Sequence, residues 1–201
     1  MTAQNFIGLS KIRKAFGILF ILATVSCSES EYRQLVKKEM ASGAIHDSLM
    51  FDMHFGQTKK QFFDQCWKLN KKGWVRQGPN NQFVEYKLPL RQDQSLKDAI
   101  TLLFYGIFDE SDLMTGMDLR FSYDGWSLWN EKLQSKELVH AVKDSLKKWY
   151  PGNDFKLLNM PGDTTPVYVK IDGNRRILIQ PLDDSRTVKA KIEDLRFLLD
   201  K

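Results

Sequence analysis

The chain has little of the chemistry that most active sites need. Its 201 residues include three histidines, two cysteines and six prolines. His46 and His54 are too far apart for one helical face and lie on the wrong kind of segment for an i, i+4 zinc pair. His140 stands among apolar neighbours in a later helical stretch. No Gly-x-Ser-x-Gly elbow and no glycine-rich phosphate loop occurs, so neither hydrolysis at such an elbow nor P-loop nucleotide binding has its motif. No apolar run reaches the roughly 20 residues that span a bilayer. Few prolines and no low-complexity tract argue against a long disordered stalk. What these scarcities leave is an ordinary globular composition: 42% hydrophobic, 27% charged and 12% aromatic.

The first positive feature is an address. Lys11, Arg13 and Lys14 precede an uncharged run from Ala15 to Ser26 that ends at Cys27. Cations followed by an apolar core of roughly 7–15 residues make a secretory signal. The closing Val25-Ser26-Cys27 resembles the cleavage box of bacterial lipoproteins, with Thr24 where that box has leucine. The resemblance implies removal of residues 1–26 and acyl chains on the sulfur and amine of Cys27. It also implies residence in the cell envelope, on the periplasmic or surface face of a Gram-negative outer membrane. An ordinary cleaved signal and an uncleaved anchor are the alternatives. The following Ser28-Glu29-Ser30-Glu31 is similar to the surface-export signals of some Gram-negative lipoproteins. It also suits a helix start, with Ser28 and Glu31 spaced as in a capping box.

This segment changes how the totals read. The formal charge is +5, but Lys11, Arg13 and Lys14 supply three of those positives and no acid precedes Cys27, which leaves +2 for residues 27–201. Nucleic-acid binders concentrate basic charge on one face, so nucleic acid is not an expected partner. With Cys27 acylated, Cys66 has no intramolecular partner, and beside Trp67 on an apolar helical face it reads as a small hydrophobe.

Periodicity orders the remainder. Tyr32, Leu35, Val36 and Met40 keep helical spacing up to Ser42-Gly43. Leu49, Phe51, Met53 and Phe55 alternate, which predicts a short strand. Thr58 and Gln61 form a capping box ahead of a helix that puts Phe62, Phe63, Cys66, Trp67 and Leu69 on or near one face, read as core, and ends at Lys71-Lys72-Gly73. Trp74–Gln77 and Gln82–Leu88 flank Gly78-Pro79-Asn80-Asn81 as a hairpin. Residues 99–108 predict a central buried strand, and Met117, Leu119, Phe121 and Tyr123 a half-buried antiparallel one. A helix follows from Ser135 to Tyr150, then short strands, a hairpin at Asp172-Gly173-Asn174, a strand through Val188 and Ile192, and a terminal helix near Leu195–Leu199.

Helices and strands come in segregated runs, which argues α+β with an antiparallel sheet packed by two or three helices and against a doubly wound fold. Residues 1–26 are the signal and 27–201 a single α+β domain, with 27–47 as N-terminal tether and helix. A helix followed by three or more strands occurs twice, from Thr58 to Asp124 and from Ser135 to Glu193. This layout, with the Phe55-Gly56-x-Thr58 helix start, resembles the tandem modules of beta-lactamase-inhibitor-protein-like proteins and of small outer-membrane-assembly lipoproteins.

Chemistry-bearing clusters are few. Asp109, Glu110 and Asp112, or Asp163, Asp183 and Asp184, could pair carboxylates for glycoside hydrolysis, although acids are ordinary in turns. Asp172-Gly173-Asn174 lacks the later ligands of a calcium loop. Tyr123, Trp126 and Trp129 cluster at a strand end, where exposed rings would contact a partner or stack on a sugar. No cofactor, metal or catalytic residue is expected. The sequence points to a non-enzymatic, lipid-anchored envelope module that meets membrane lipid through Cys27 and an envelope protein through its domain. The alternative is an exported carbohydrate-binding or hydrolytic domain built on Asp109–Asp112 or Trp126.

Overall fold

A computed structural model describes residues 30–90, 94–160, 166–181 and 184–199. Among them one antiparallel sheet holds β1 (Val75–Gln77), β2 (Val84–Lys87), β3 (Ile100–Phe108), β4 (Met114–Tyr123), β5 (Lys156–Leu158), β6 (Val167–Asp172), β7 (Arg175–Pro181) and β8 (Val188–Asp194). Their order is β1-β2-β3-β4-β8-β7-β6-β5. The α-helices are α1 (Glu31–Ala41), α2 (Lys59–Lys71), α3 (Ser135–Trp149) and α4 (Leu195–Leu199). The fold is therefore α+β. Helix α2 precedes the meander β1–β4 and α3 precedes the meander β5–β8. The two meanders join edge to edge, Met117 facing Ile192 and Leu119 facing Ala190.

Alternation along the strands divides the core. Leu102, Phe104, Met117, Leu119, Phe121, Ile177, Ile179, Val188, Ala190 and Ile192 belong to one large cluster with Phe62, Cys66 and Leu69 of α2 and Leu138, Val139, Val142 and Leu146 of α3. Val167, Val169 and Ile171, the odd positions of β6, point the other way and pack with Tyr32 and Val36 of α1 and with Leu195. Strand β6 is thus covered on both faces, and its even positions Lys170 and Asp172 are buried as well.

Local signals hold these elements in place. Thr58 and Gln61 close the expected capping box, Gln61 N–H donating to Thr58 Oγ1 at 3.3 Å and Thr58 N–H to Gln61 Oε1 at 2.7 Å. Ser135 anchors α3 to the turn before β8, its N–H donating to the Ser185 carbonyl at 2.7 Å and its Oγ–H to that of Asp184 at 3.0 Å.

The chain departs from expectation at residues 48–55. Instead of a strand it makes a tight turn at Met50–Asp52, with Phe51 and Asp52 both at positive φ (60° and 57°), closed by a Ser48–His54 bridge. Leu49, Met53 and Phe55 are still buried. Phe51 sits edge-on to Tyr86, ring centroids 4.9 Å apart, and Gln65 Nε2 donates to its carbonyl at 2.8 Å.

The hairpin joining β6 to β7 is a second departure. A turn of Asp, Gly and Asn belongs on a surface, yet Asp172, Asn174 and Arg175 are buried. His46 N–H donates to Asn174 Oδ1 at 2.6 Å, Asn174 N–H to the Ala44 carbonyl at 3.3 Å, and Leu195 N–H to the Asn174 carbonyl at 2.7 Å. Gly173 has φ +53°, and a Cβ there would collide with the Ala44 carbonyl oxygen. Gly152, at φ +138°, leaves no room for a Cβ against the Asp172 carboxylate. Segment 44–48, the end of α3 and the start of α4 therefore all converge on this turn.

Candidate functional site

Helix α2 carries two adjacent apolar stripes. Phe62, Cys66 and Leu69 turn inward, with Phe62 fully buried. Phe63 and Trp67, one step round the helix, are 48% and 61% exposed, and Trp74 at the α2–β1 junction is 58% exposed. The expectation that Phe63 and Trp67 are core is corrected here: the sheet accepts only one stripe of the helix. Between Phe63, Trp67, Tyr105, Val84 and Phe83 lies an open groove of about 520 Å³. Arg76 lines it, and Lys60, Lys68, Lys71 and Lys72 are exposed on or just after α2. Lys71 Nζ lies 5.4 Å from the Trp67 ring centre and Lys72 Nζ 5.3 Å from that of Trp74. The nearby acids Asp64 and Glu85 are already paired, with Lys60 at 2.7 Å and Arg76 at 2.5 Å. Three exposed aromatics, with Lys71 and Lys72 over two of their rings, form a surface suited to a partly apolar partner that carries acidic groups.

The residues singled out in the sequence fall elsewhere. Cys27 lies outside the described residues, as do Asp163 and Asp183. Tyr123 packs against the large core, and Trp126 is half-buried, its Nε1–H donating to the Ser185 carbonyl at 3.1 Å beneath Arg186. Trp129 is 92% exposed, next to the exposed Leu128. Asp109 accepts the N–H groups of Ser111 and Leu113, both at 2.9 Å, which makes it a turn former, and Asp112 faces Lys59 at 3.4 Å. Asp184 accepts the Arg186 N–H at 2.8 Å. His54 and His140 are exposed and His46 is half-buried. Among the described residues no group of three His, Cys, Asp or Glu could hold a metal ion, and no helix is long and apolar enough to cross a membrane.

Cys66 is a buried free thiol on the inner stripe of α2. Burial pushes it from its ordinary 9.0 up to about 12, and burial likewise pushes the Tyr150 phenol from 10.0 up to about 12. Both are acids held neutral by the fold, so the native state binds protons that the unfolded chain releases, and stability falls as pH rises. The decline begins near pH 9 with Cys66, steepens near 10 with Tyr150, and runs at about 1.4 kcal/mol per pH unit per group. Urea melts of Cys66→Ala should keep only the later limb. A thiol reagent at neutral pH should label Cys66 only after unfolding.

Two features of the sequence hint at the α2–β1 surface, the i, i+4 pair Phe63 and Trp67 and the five lysines within residues 59–72. Neither says which stripe meets the sheet. Compared with known proteins, the chain matches no family model, no curated protein and no solved structure.

Proposed function

We propose that this protein is a lipid-anchored component of the cell envelope whose domain binds an acidic protein partner through the α2–β1 surface. The observation that carries the reading is the exposure of Phe63, Trp67 and Trp74, with lysines over two of the rings. Large aromatics serve as binding anchors when a partner covers them, and Lys71 and Lys72 beside those rings favour acidic partners and speed their encounter. Two helix-plus-four-strand halves support a binding module, since that layout resembles the tandem modules of beta-lactamase-inhibitor-protein-like proteins. The anchor rests on the signal and Cys27.

The test is photo-crosslinking in cells, with a photoreactive residue at position 67 and, separately, at position 129. A discrete protein adduct is expected from position 67 and none from 129. In the same strain Cys27→Ser should lose acyl labelling and leave the membrane fraction. Adducts from 129 alone, or unchanged acyl labelling in the serine variant, would overturn the corresponding half of the reading.

A further inference from the structure

A second concavity shares no lining residue with the aromatic groove and has a different chemistry. Ser48–Phe51, Tyr86, Pro89 and the end of α3 (Trp149 and Tyr150) enclose about 380 Å³, with Arg175 among the lining residues. That volume lies within the range of about 300–1,000 Å³ typical of small-molecule sites, and apolar walls with one placed polar group are their usual make-up.

Arg175 is 95% buried in residue terms, its exposure being 5%, and its Nε–H has no partner. The guanidinium stacks over Tyr150, 4.7 Å from the ring centre. Its remaining contacts are long: NH1 to the Ser48 carbonyl and NH2 to Asp172 Oδ2, each at 3.5 Å. Every acid that could serve it better is committed. Asp172 holds Lys170 through Oδ2 and accepts the Asn153 N–H through Oδ1 at 2.7 Å. Asp194, opposite Arg175 in the β7–β8 register, has both oxygens on Arg196. Glu193 is paired with Arg176 at 2.5 Å. Arg175 lines an aromatic cleft with its nearest acid 3.5 Å away and shared with Lys170, so its charge is only partly met and it is a fixed cationic anchor for a further anion.

We propose that this cleft binds a small organic carboxylate, its anionic end on Arg175 and its apolar body against Phe51, Tyr86 and Trp149. The carboxylate would take the terminal N–H groups of Arg175 in the two-pronged geometry that guanidinium offers, the Nε–H staying sealed from solvent behind them. Tyr150 keeps its proton and accepts the Met50 N–H at 3.0 Å, so its O–H can donate to the same anion. The turn carrying Phe51 at positive φ forms one wall, a conformation in which an aromatic residue stores strain of the kind found at ligand clamps. Two sources present this chemistry: a free aromatic or aliphatic acid, and the C-terminal carboxylate of a peptide ending in an apolar residue.

The full chain, purified in detergent, is titrated with 4-phenylbutyrate while the arginine Nε–H resonances are followed by NMR. The Arg175 signal is identified by its loss in Arg175→Lys. Saturable binding with a Kd on the order of 0.1–1 mM is expected for a ligand of this size, with the Arg175 signal moving in step. The uncharged 4-phenylbutanol and the Arg175→Lys variant should each bind at least about tenfold more weakly. Met50→Trp, which fills the cleft and leaves Arg175 in place, should abolish binding and so serves if Arg175 variants fail to fold. A phenylalanine-terminated tripeptide with a free C-terminus, compared with its amide, separates the two sources. Binding of the free acid alone, or stronger binding of the free-terminus peptide, each supports the site and names its occupant. Equal binding of acid and alcohol, an unmoved Arg175 signal, or no saturable binding of either acid would overturn it.

Discussion

Asp172→Ala should remove about 3–5 kcal/mol of stability, a large share of the roughly 5–15 kcal/mol that holds a domain of this size together. The reason lies in Lys170, whose side chain is fully buried and whose ammonium sits on Asp172. Burial lowers the Lys170 pKa against the pull of Asp172, so its charge depends on that carboxylate. Without it a lysine charge would remain in a strand covered on both faces, the Asn153 N–H would lose its acceptor and Arg175 its nearest acid. Asp172→Asn keeps an oxygen for Asn153 and should cost roughly 2 kcal/mol less than the alanine variant. Adding Lys170→Met to Asp172→Ala removes the orphaned charge, and the double variant should be less destabilised than the sum of the singles by about 1–3 kcal/mol. Urea melts would show this as a lower midpoint at nearly constant slope. A loss below about 1 kcal/mol for Asp172→Ala would mean that the turn is not the junction its contacts describe.

That junction was hidden in the sequence for a physical reason. Asp172-Gly173-Asn174 has the residues of a hairpin turn, and a hairpin it is, between β6 and β7. Its burial comes from segment 44–48, more than a hundred positions earlier, closing over it, and no local pattern announces such a contact. Lys170 was concealed in the same way. A strand that alternates apolar and polar residues signals one wet face, and only the two-sided cover of β6 by α1 and by the large core makes both faces dry. The antiparallel sheet and its two helix-led halves were legible because each element carries its own signal: the Thr58–Gln61 cap, the nearly continuous apolar run of β3, the strict alternation of β4 and the inward face of α3. Residues 48–55 misled because a tight turn with two arms buries alternate side chains as a strand does. The candidate binding surface was hardest to see. Two apolar stripes one position apart on α2 are equivalent until the sheet selects one, so Trp67 reads as core beside Cys66.

The selection of one stripe over the other sets up the second large effect. Phe62→Ala should cost about 3–5 kcal/mol, because Phe62 is fully buried and its ring meets those of Tyr105, Phe108 and Phe104 at 5.4, 5.6 and 6.5 Å. For a domain of this length each kcal/mol moves the melting temperature by about 2–4 °C, so a fall of roughly 10 °C is expected. Trp67→Ala removes a larger side chain from the same helix, yet its exposure limits the expected loss to about 0.5 kcal/mol, much of it from the Lys71 contact over the ring. The two variants therefore separate what holds the fold from what the fold displays. Trp67→Ala should melt close to the unmodified protein and lose the partner adduct when the photoreactive group is moved to position 63. If it instead melts as low as Phe62→Ala, Trp67 is packed against the domain and cannot be an anchor for a partner. A near-native melt with the adduct intact would leave Trp67 exposed but not needed, and would shift the anchor to Trp74.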